Sequence, residues 1–362
     1  MKSKTVAVLG GGGGGHMMAV DLTARGYDVN LYEHPDFEAG FKTTLARGSI
    51  EAVGIGPVGI FPIHQVSLDI KKTVADVEWI HVAMAATGHD VFFDELVAHI
   101  QPGHKVVVWA GDFGSLRLRK KLLDAGKEDG ITIIEASTLP YGTRLVEPGK
   151  IDLLLIAESI LVASIPNADL DEVFDDLSDM FPSIIKDKNV LCAAFNNPNP
   201  IVHPPGALLN TGRIEYSKGD FCMYGEGVTE SVARVIREIY MESKAVGKAL
   251  SFDMKIYAEK DFHKKTSIMG NEFIGPFDPF TVIQEIVGPK SVQDRYIVED
   301  LPMGLVPRSE LGKLVGVPTP VIDSIVTIGS IVCQNDFWKS GRTLEKLGLG
   351  GKSAEDILSI VD

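Results

Sequence analysis

Cysteine is scarce: Cys192, Cys222 and Cys333 are the three in 362 residues. They are odd in number, far apart and at no metal-ligand spacing. This excludes a disulfide framework and a cysteine-based metal centre, and it points to a reducing, cytoplasmic setting. No metal site is expected. Basic charge is also short, with 35 Lys and Arg against 49 Asp and Glu and a formal charge of −14. That balance argues against nucleic acid or an anionic membrane as partner and leaves small molecules. No apolar run reaches the roughly 18 residues of a membrane helix. The best candidate, Leu153 to Ile165, is broken by Glu158 and reads as a buried strand pair. Lys2 and Lys4 precede only four apolar residues, Val6 to Leu9, too few for a secretory leader. The length suffices for two domains with separate cores. Oligomeric state is left open, a homodimer included.

Glycine is in excess at one place. Val6-Ala7-Val8-Leu9 runs into six consecutive glycines, Gly10 to Gly15, and then into His16-Met17-Met18-Ala19-Val20. The order is strand, glycine turn, helix. Backbone N–H groups in such a turn can approach a phosphate at the positive end of the helix dipole. Gly10, Gly12 and Gly15 satisfy G-x-G-x-x-G, and Gly13 and Gly14 share the turn. A run of six glycines contains that pattern by default, so its position between strand and helix carries the dinucleotide reading. A flexible turn is the plainer alternative. Glu33 lies 18 residues after Gly15, at the predicted end of the second strand. A carboxylate there accepts from ribose hydroxyls and repels a 2′-phosphate, which favours NAD. His34 follows, so NADP stays open.

Strands are predicted at Thr5–Leu9, Asp28–Tyr32, Trp79–Ala83, Lys105–Trp109 and Ile131–Glu135. Helices fall between them at Met17–Arg25, Asp90–His99 and Leu116–Ala125. The alternation implies a Rossmann-type, doubly wound parallel sheet. Phe41 to Leu68 reads as an irregular, β-rich excursion. The apolar runs from Ile151 to Ile165 read as antiparallel additions to the same sheet. Asp169–Phe181 reads as an acidic helix. Beyond Asp187 the pattern is helical, at Val228–Val246, Met254–Phe262, Pro279–Ile286, Leu311–Leu314, Pro320–Cys333 and Ala354–Val361. The expected architecture is α/β at residues 1–188, the dinucleotide-binding domain, followed by an all-α domain at 189–362.

Two stretches of the second half carry chemistry. Asn196 to Gly206 holds four prolines and a lone histidine, His203. Helix is not expected to persist through Pro198 and Pro200. A histidine on a stiff segment suits proton transfer, and it equally suits packing against proline rings. Five residues separate Arg295 from Asp300. A guanidinium can hold a carboxylate in two parallel bonds, and a carboxylate can orient an imidazole. A surface ion pair is the bland reading of the same residues. Met223, Tyr224, Met269, Phe273 and Phe277 are candidates for a pocket wall or for plain core.

These residues together resemble the opine dehydrogenase family, which includes octopine dehydrogenase and a bacterial carboxyethyl-norvaline dehydrogenase. The resemblance spans nearly the whole chain. It is carried by Gly14-Gly15-His16, by Glu135 to Arg144 (EASTLPYGTR), by Asn199 to Pro204 (NPIVHP) with Leu209 to Glu215, by Arg295 to Leu305, by Gly316 to Pro320 and by Gly341 to Glu345. The family usually interrupts its turn with other residues, whereas this chain has glycine throughout. The resemblance implies a helical catalytic domain, with the site in the cleft between the domains. It implies His203 as acid–base, Asp300 as its partner and Arg295 on a carboxylate of the 2-oxo acid. Thr138 and Tyr141 would lie in the loop near cofactor and substrate. The implied reaction condenses an amino acid with a 2-oxo acid, pyruvate by family habit, and reduces the imine with NAD(P)H. Asp300 would raise the His203 pKa. Two other readings remain. One is a ketopantoate reductase or glycerol-3-phosphate dehydrogenase type of enzyme, relying on Lys255, Lys260, Lys264 or Lys265. The other is a dinucleotide-binding sensor without turnover.

Overall fold

The computed structural model describes residues 4–254, 273–274 and 288–362. Its centre is the buried strand β1 (Thr5–Leu9). β2 (Asp28–Tyr32) pairs with β1 on one side. The chain then runs through β3 (Ser49–Gly54), β4 (Gly59–Pro62) and β5 (Gln65–Ser67). It continues into β6 (Trp79–Val82), which pairs with β1 on the other side. β7 (Lys105–Trp109), β8 (Thr132–Ala136), β9 (Tyr141–Glu147) and β10 (Lys150–Ala157) follow. β11 (Ile160–Ile165) and β12 (Ile184–Lys186) complete the first half. The large sheet has eight strands in the order β12-β11-β8-β7-β6-β1-β2-β5, with only β11 and β8 antiparallel. Because β2 and β6 flank β1, the strand order reverses there. The crevice at such a reversal is where doubly wound sheets bind ligands.

Three expectations are corrected. Phe41 to Leu68 is not all excursion, because a helix covers Glu38–Arg47. It buries Phe41 and Thr44 and is closed by Gly48 in the left-handed region at φ 61. The runs of 151–165 do not both join the large sheet. β11 does, nearly every residue buried, whereas β10 alternates buried and half-buried residues and enters a second sheet. That alternation is the period-2 signature of a strand with one covered face. The second sheet has the order β13-β10-β3-β4, with β9 on β10 and with β13 (Phe273–Ile274) reaching back from the helical half. Third, a helix does form at Asn199–Leu208. Pro200 occupies its first turn, where a missing N–H costs little. Pro204 and Pro205 lie inside it and withhold the donors that would reach the carbonyls of Pro200 and Ile201. Every residue from Pro200 to Leu208 is buried, and that packing outweighs the loss. The helices expected at Met254–Phe262 and Pro279–Ile286 lie outside the described residues, apart from Met254.

Candidate active site

The glycine run divides into distinct local roles. Gly10 leaves β1 at φ 118, a left-handed region that favours glycine. Gly15 lies so close to the strand end that a Cβ would stand 1.7 Å from the Gly10 carbonyl oxygen. At Gly12 a Cβ would meet nothing within 4 Å, because that face is open. Gly12 caps the helix Gly13–Ala24 without a side chain, and no acidic residue sits in the first turn. The first N–H groups of that helix are therefore placed to receive an anion. Strand turn, close helix packing and open backbone are what a dinucleotide's pyrophosphate requires, so these residues fit the cofactor.

Glu33 stands just past β2 and is buried. Its two oxygens accept from the backbone N–H groups of Gly11 and His34, both at 2.8 Å. Burial pushes its pKa upward against those two bonds. His34 is occupied by Glu95, 3.2 Å from its Nε2.

Gly12, Gly13 and Gly14 open onto a cleft of 670 Å³. Its walls include Thr138, Tyr141, His203, Tyr224 and Arg295. The structure thus gathers most of the residues singled out in the sequence. Gly10, Gly15 and Glu33 support the turn from outside this lining, and Asp300 lies behind His203. Tyr141 contributes its ring to the wall, but its hydroxyl donates to Asp21 Oδ2 at 2.6 Å. It ties the β9 hairpin to the first helix.

His203 projects from Asn199–Leu208. Its Nδ1 lies 2.9 Å from Asp300 Oδ2 and its Nε2 2.8 Å from the Tyr224 hydroxyl. Tyr296 stacks on the imidazole with centroids 3.9 Å apart and planes 2° from parallel. Two close approaches assemble the group. A Cβ at Gly304 would meet Pro200 at 2.2 Å, and one at Gly206 would meet Met223 at 2.6 Å. Glycine at those positions lets the wide turns Asp300–Leu305 and Met223–Gly227 press on the histidine helix from two sides.

The expected rise in the His203 pKa is not found. Burial first, then the Arg295 guanidinium, hold it down to about 3. Burial and Glu299 push Asp300 up instead. Both shifts have the same leading cause, because burial disfavours the charged form of the imidazole and of the carboxyl alike, and Asp112, whose pKa burial and Asp300 push well up, interacts with the same carboxyl. At neutral pH desolvation outweighs ion pairing here.

Arg295 begins the helix Arg295–Val298 and leaves about half of its side chain exposed. Burial opposes its charge, but Glu299, Tyr296 and Asp300 outweigh that and hold it protonated. Glu299 Oε1 accepts from the Ala86 N–H at 2.6 Å, which joins the helical half to the loop after β6. Arg342 is buried and donates to the carbonyls of Gly111 (2.6 Å) and Asp112. Asp112, at φ 47, accepts from Asn197 Nδ2 at 2.7 Å. The loop after β7 is thus pinned from the helical side.

Tyr224 appeared in the sequence only as a wall candidate, and Tyr296, Glu299 and Arg342 lay inside motif stretches without being assigned a role of their own. Met269 and Phe277, the side chain of Phe273, and Lys255, Lys260, Lys264 and Lys265 lie outside the described residues. Among the described residues no group of three metal-ligating side chains forms, and no helix is long and apolar enough to cross a membrane.

Known proteins resemble this chain in sequence and in fold. Residues 186–333 match the family described as NAD/NADP octopine/nopaline dehydrogenase, alpha-helical domain. An opine dehydrogenase of Arthrobacter sp. (strain 1C) is 33% identical over 374 residues, covering 100% of each chain. An octopine dehydrogenase solved with NADH and pyruvate has a TM-score of 0.71 at 17% identity, with 98% of each chain covered. A yersinopine dehydrogenase with NADP+ bound has a TM-score of 0.69 at 16% identity, covering 99% of this chain and 97% of its own. On its full-length relative, its turn and its cleft, this chain belongs to the opine dehydrogenase family of NAD(P)-dependent oxidoreductases.

Proposed function

We propose that the enzyme joins the amine of an amino acid to the carbonyl carbon of a 2-oxo acid, pyruvate in the first instance, with NADH as reductant. The observation that carries this is that His203, held by Asp300, lines the same cleft as the Gly12–Gly14 backbone, with Arg295 beside it. The N–H groups of the glycine turn hold the pyrophosphate. Glu33 accepts from the adenosine ribose, and the acidic surroundings of His34 disfavour a 2′-phosphate, which supports NAD over NADP. When bound, the nicotinamide supplies hydride to the carbon of the imine. Arg295 pairs with the carboxylate of the 2-oxo acid and holds its carbonyl toward His203, lowering the entropic barrier of a two-substrate reaction. The His203–Asp300 unit takes a proton from the substrate ammonium and returns one to the departing hydroxyl. Thr138 and the ring of Tyr141 line the same cleft. Residues 1–188 would carry the cofactor and 189–362 the catalytic helices, a division supported by the end of the last large-sheet strand at Lys186. No disulfide links the three cysteines, which supports a cytoplasmic location.

The test is a panel of amino acids, each with pyruvate, glyoxylate or 2-oxoglutarate, followed by NADH and NADPH absorbance. Oxidation of NADH should require both an amine and a 2-oxo acid, with NADPH the poorer reductant. Equal rates without any amine would point to simple keto-acid reduction and end this reading. Arg295→Lys should raise the KM for the 2-oxo acid by about tenfold or more, because lysine cannot make two parallel bonds to a carboxylate. An unchanged KM would remove Arg295 from that subsite.

A further inference from the structure

Neither nitrogen of His203 faces open space. Nδ1 is held by Asp300 Oδ2 at 2.9 Å and Nε2 by the Tyr224 hydroxyl at 2.8 Å. The ring cannot easily turn to present either one. Its helix is buried throughout and Tyr296 lies flat against it at 3.9 Å. His203 itself is only 3% exposed, whereas Tyr224 is half-buried on the cleft wall. We infer that Tyr224 is a catalytic residue of this enzyme: its hydroxyl touches the substrate amine and passes protons between it and His203. The inference rests on the reading of His203 as the acid–base.

A phenol suits this position. It has one proton to donate and lone pairs left to accept, so it can serve the histidine and the substrate at once. Its place is set by the turn Met223–Gly227, where the Glu226 N–H reaches the Cys222 carbonyl at 2.8 Å and the Val228 N–H the Met223 carbonyl at 2.8 Å. Burial, reinforced by Tyr296, pushes the Tyr224 pKa up although Arg295 and Arg144 pull it down. The hydroxyl therefore stays protonated at working pH, as a relay must.

The step balances. With Nδ1–H donated to Asp300, Nε2 accepts from Tyr224. As an N–H bond of the substrate ammonium breaks, its proton bonds to the Tyr224 oxygen. The tyrosine's own proton moves to Nε2 in the same event. The result is a neutral amine, an intact phenol and one added proton on the His203–Asp300 unit. Nothing is oxidised or reduced. The reverse path returns that proton to the departing hydroxyl, which leaves as water.

A gate that merely covers His203 predicts the opposite outcome, because removing its hydroxyl would free Nε2. The experiment compares Tyr224→Phe, His203→Asn and the unmodified enzyme in NADH-dependent condensation from pH 6 to 10, with NADH affinity from fluorescence titration. In Tyr224→Phe, kcat at neutral pH should fall about 100-fold while NADH binds as before. Its rate should then climb about tenfold per pH unit toward the amine's own pKa, since only pre-formed neutral amine reacts. A variant with at least half the normal rate, or a loss that is uniform with pH, overturns the relay. An active His203→Asn would instead remove the acid–base reading itself. If Tyr224→Phe fails to fold, difluorotyrosine at position 224 keeps the shape and lowers the phenol pKa. The relay then predicts a pH profile displaced toward acid, and an unmoved profile counts against it.

Discussion

Replacing His203 with alanine should lower the rate of NADH-dependent condensation by about 100-fold or more at saturating substrates, the scale of a general acid–base contribution. Burial and Arg295 hold the imidazole pKa down to about 3, so the ring is uncharged through neutral pH and by itself is a weak base there. The proton it gains is shared with Asp300, whose own affinity is raised by burial and Glu299. Without the imidazole the Asp300 carboxyl, which does not line the cleft, loses its contact with the reacting groups. NADH should still bind normally, because the N–H groups that would hold its pyrophosphate belong to the glycine turn and not to the histidine helix. The loss should therefore fall on kcat and on kcat/KM for the amine. Asp300→Asn should cost less than His203→Ala, and the double variant no more than His203→Ala alone, as groups acting as a unit are not additive. Steady-state kinetics with NADH fluorescence check this. A His203→Ala enzyme with wild-type kcat would leave the dyad a structural feature only.

Gly15→Ala should abolish NADH binding and destabilise the fold by about 3 kcal/mol or more, at the upper end of overpacking effects. The methyl group would be placed 1.7 Å from the Gly10 carbonyl oxygen, inside any van der Waals contact. Both atoms are backbone-anchored, so the helix Gly13–Ala24 must move off β1. That helix buries Met17, Met18, Ala19, Val20 and Leu22 against the sheet, so the shift spreads through the core. Gly12→Ala is the matched control. A Cβ there meets nothing within 4 Å, so the melting temperature should hold. Only NADH affinity should drop, because the methyl fills space meant for the cofactor. Calorimetry and fluorescence titration on the two variants separate packing from binding. Equal melting temperatures for Gly15→Ala and the unmodified enzyme would contradict the contact.

Much of the first half was legible because its signals are local. β1, β2 and β7 lie where the apolar runs end at glycine, Glu33 or a turn. Gly26, at φ 88, follows the first helix as a C-terminal glycine should. The helix Ala354–Val361 lies where the apolar spacing predicts it, and the structure closes its start with a Ser353 cap. His203, Arg295 and Asp300 could be picked out as candidates by residue type, but it was the family resemblance of their motifs that gave them expected roles.

Other features depend on partners far away in the chain. Six glycines look alike in a sequence, and only the position of β1 against its helix assigns turn, open face and close packing to Gly10, Gly12 and Gly15. Pro204 and Pro205 argue locally against helix, yet a fully buried environment supports one. Tyr224 and Tyr296 are ordinary tyrosines until Gly206 and Gly304 bring their segments against the histidine. The sequence by itself determined a Rossmann-type α/β half and a helical half and singled out candidate residues for the chemistry, because periodicity and turn residues act within a few positions. Only the tertiary structure decided which nitrogen of His203 meets which partner and in which direction its proton affinity moves. Desolvation and close approach are set by atoms dozens of residues apart, and no local pattern records them.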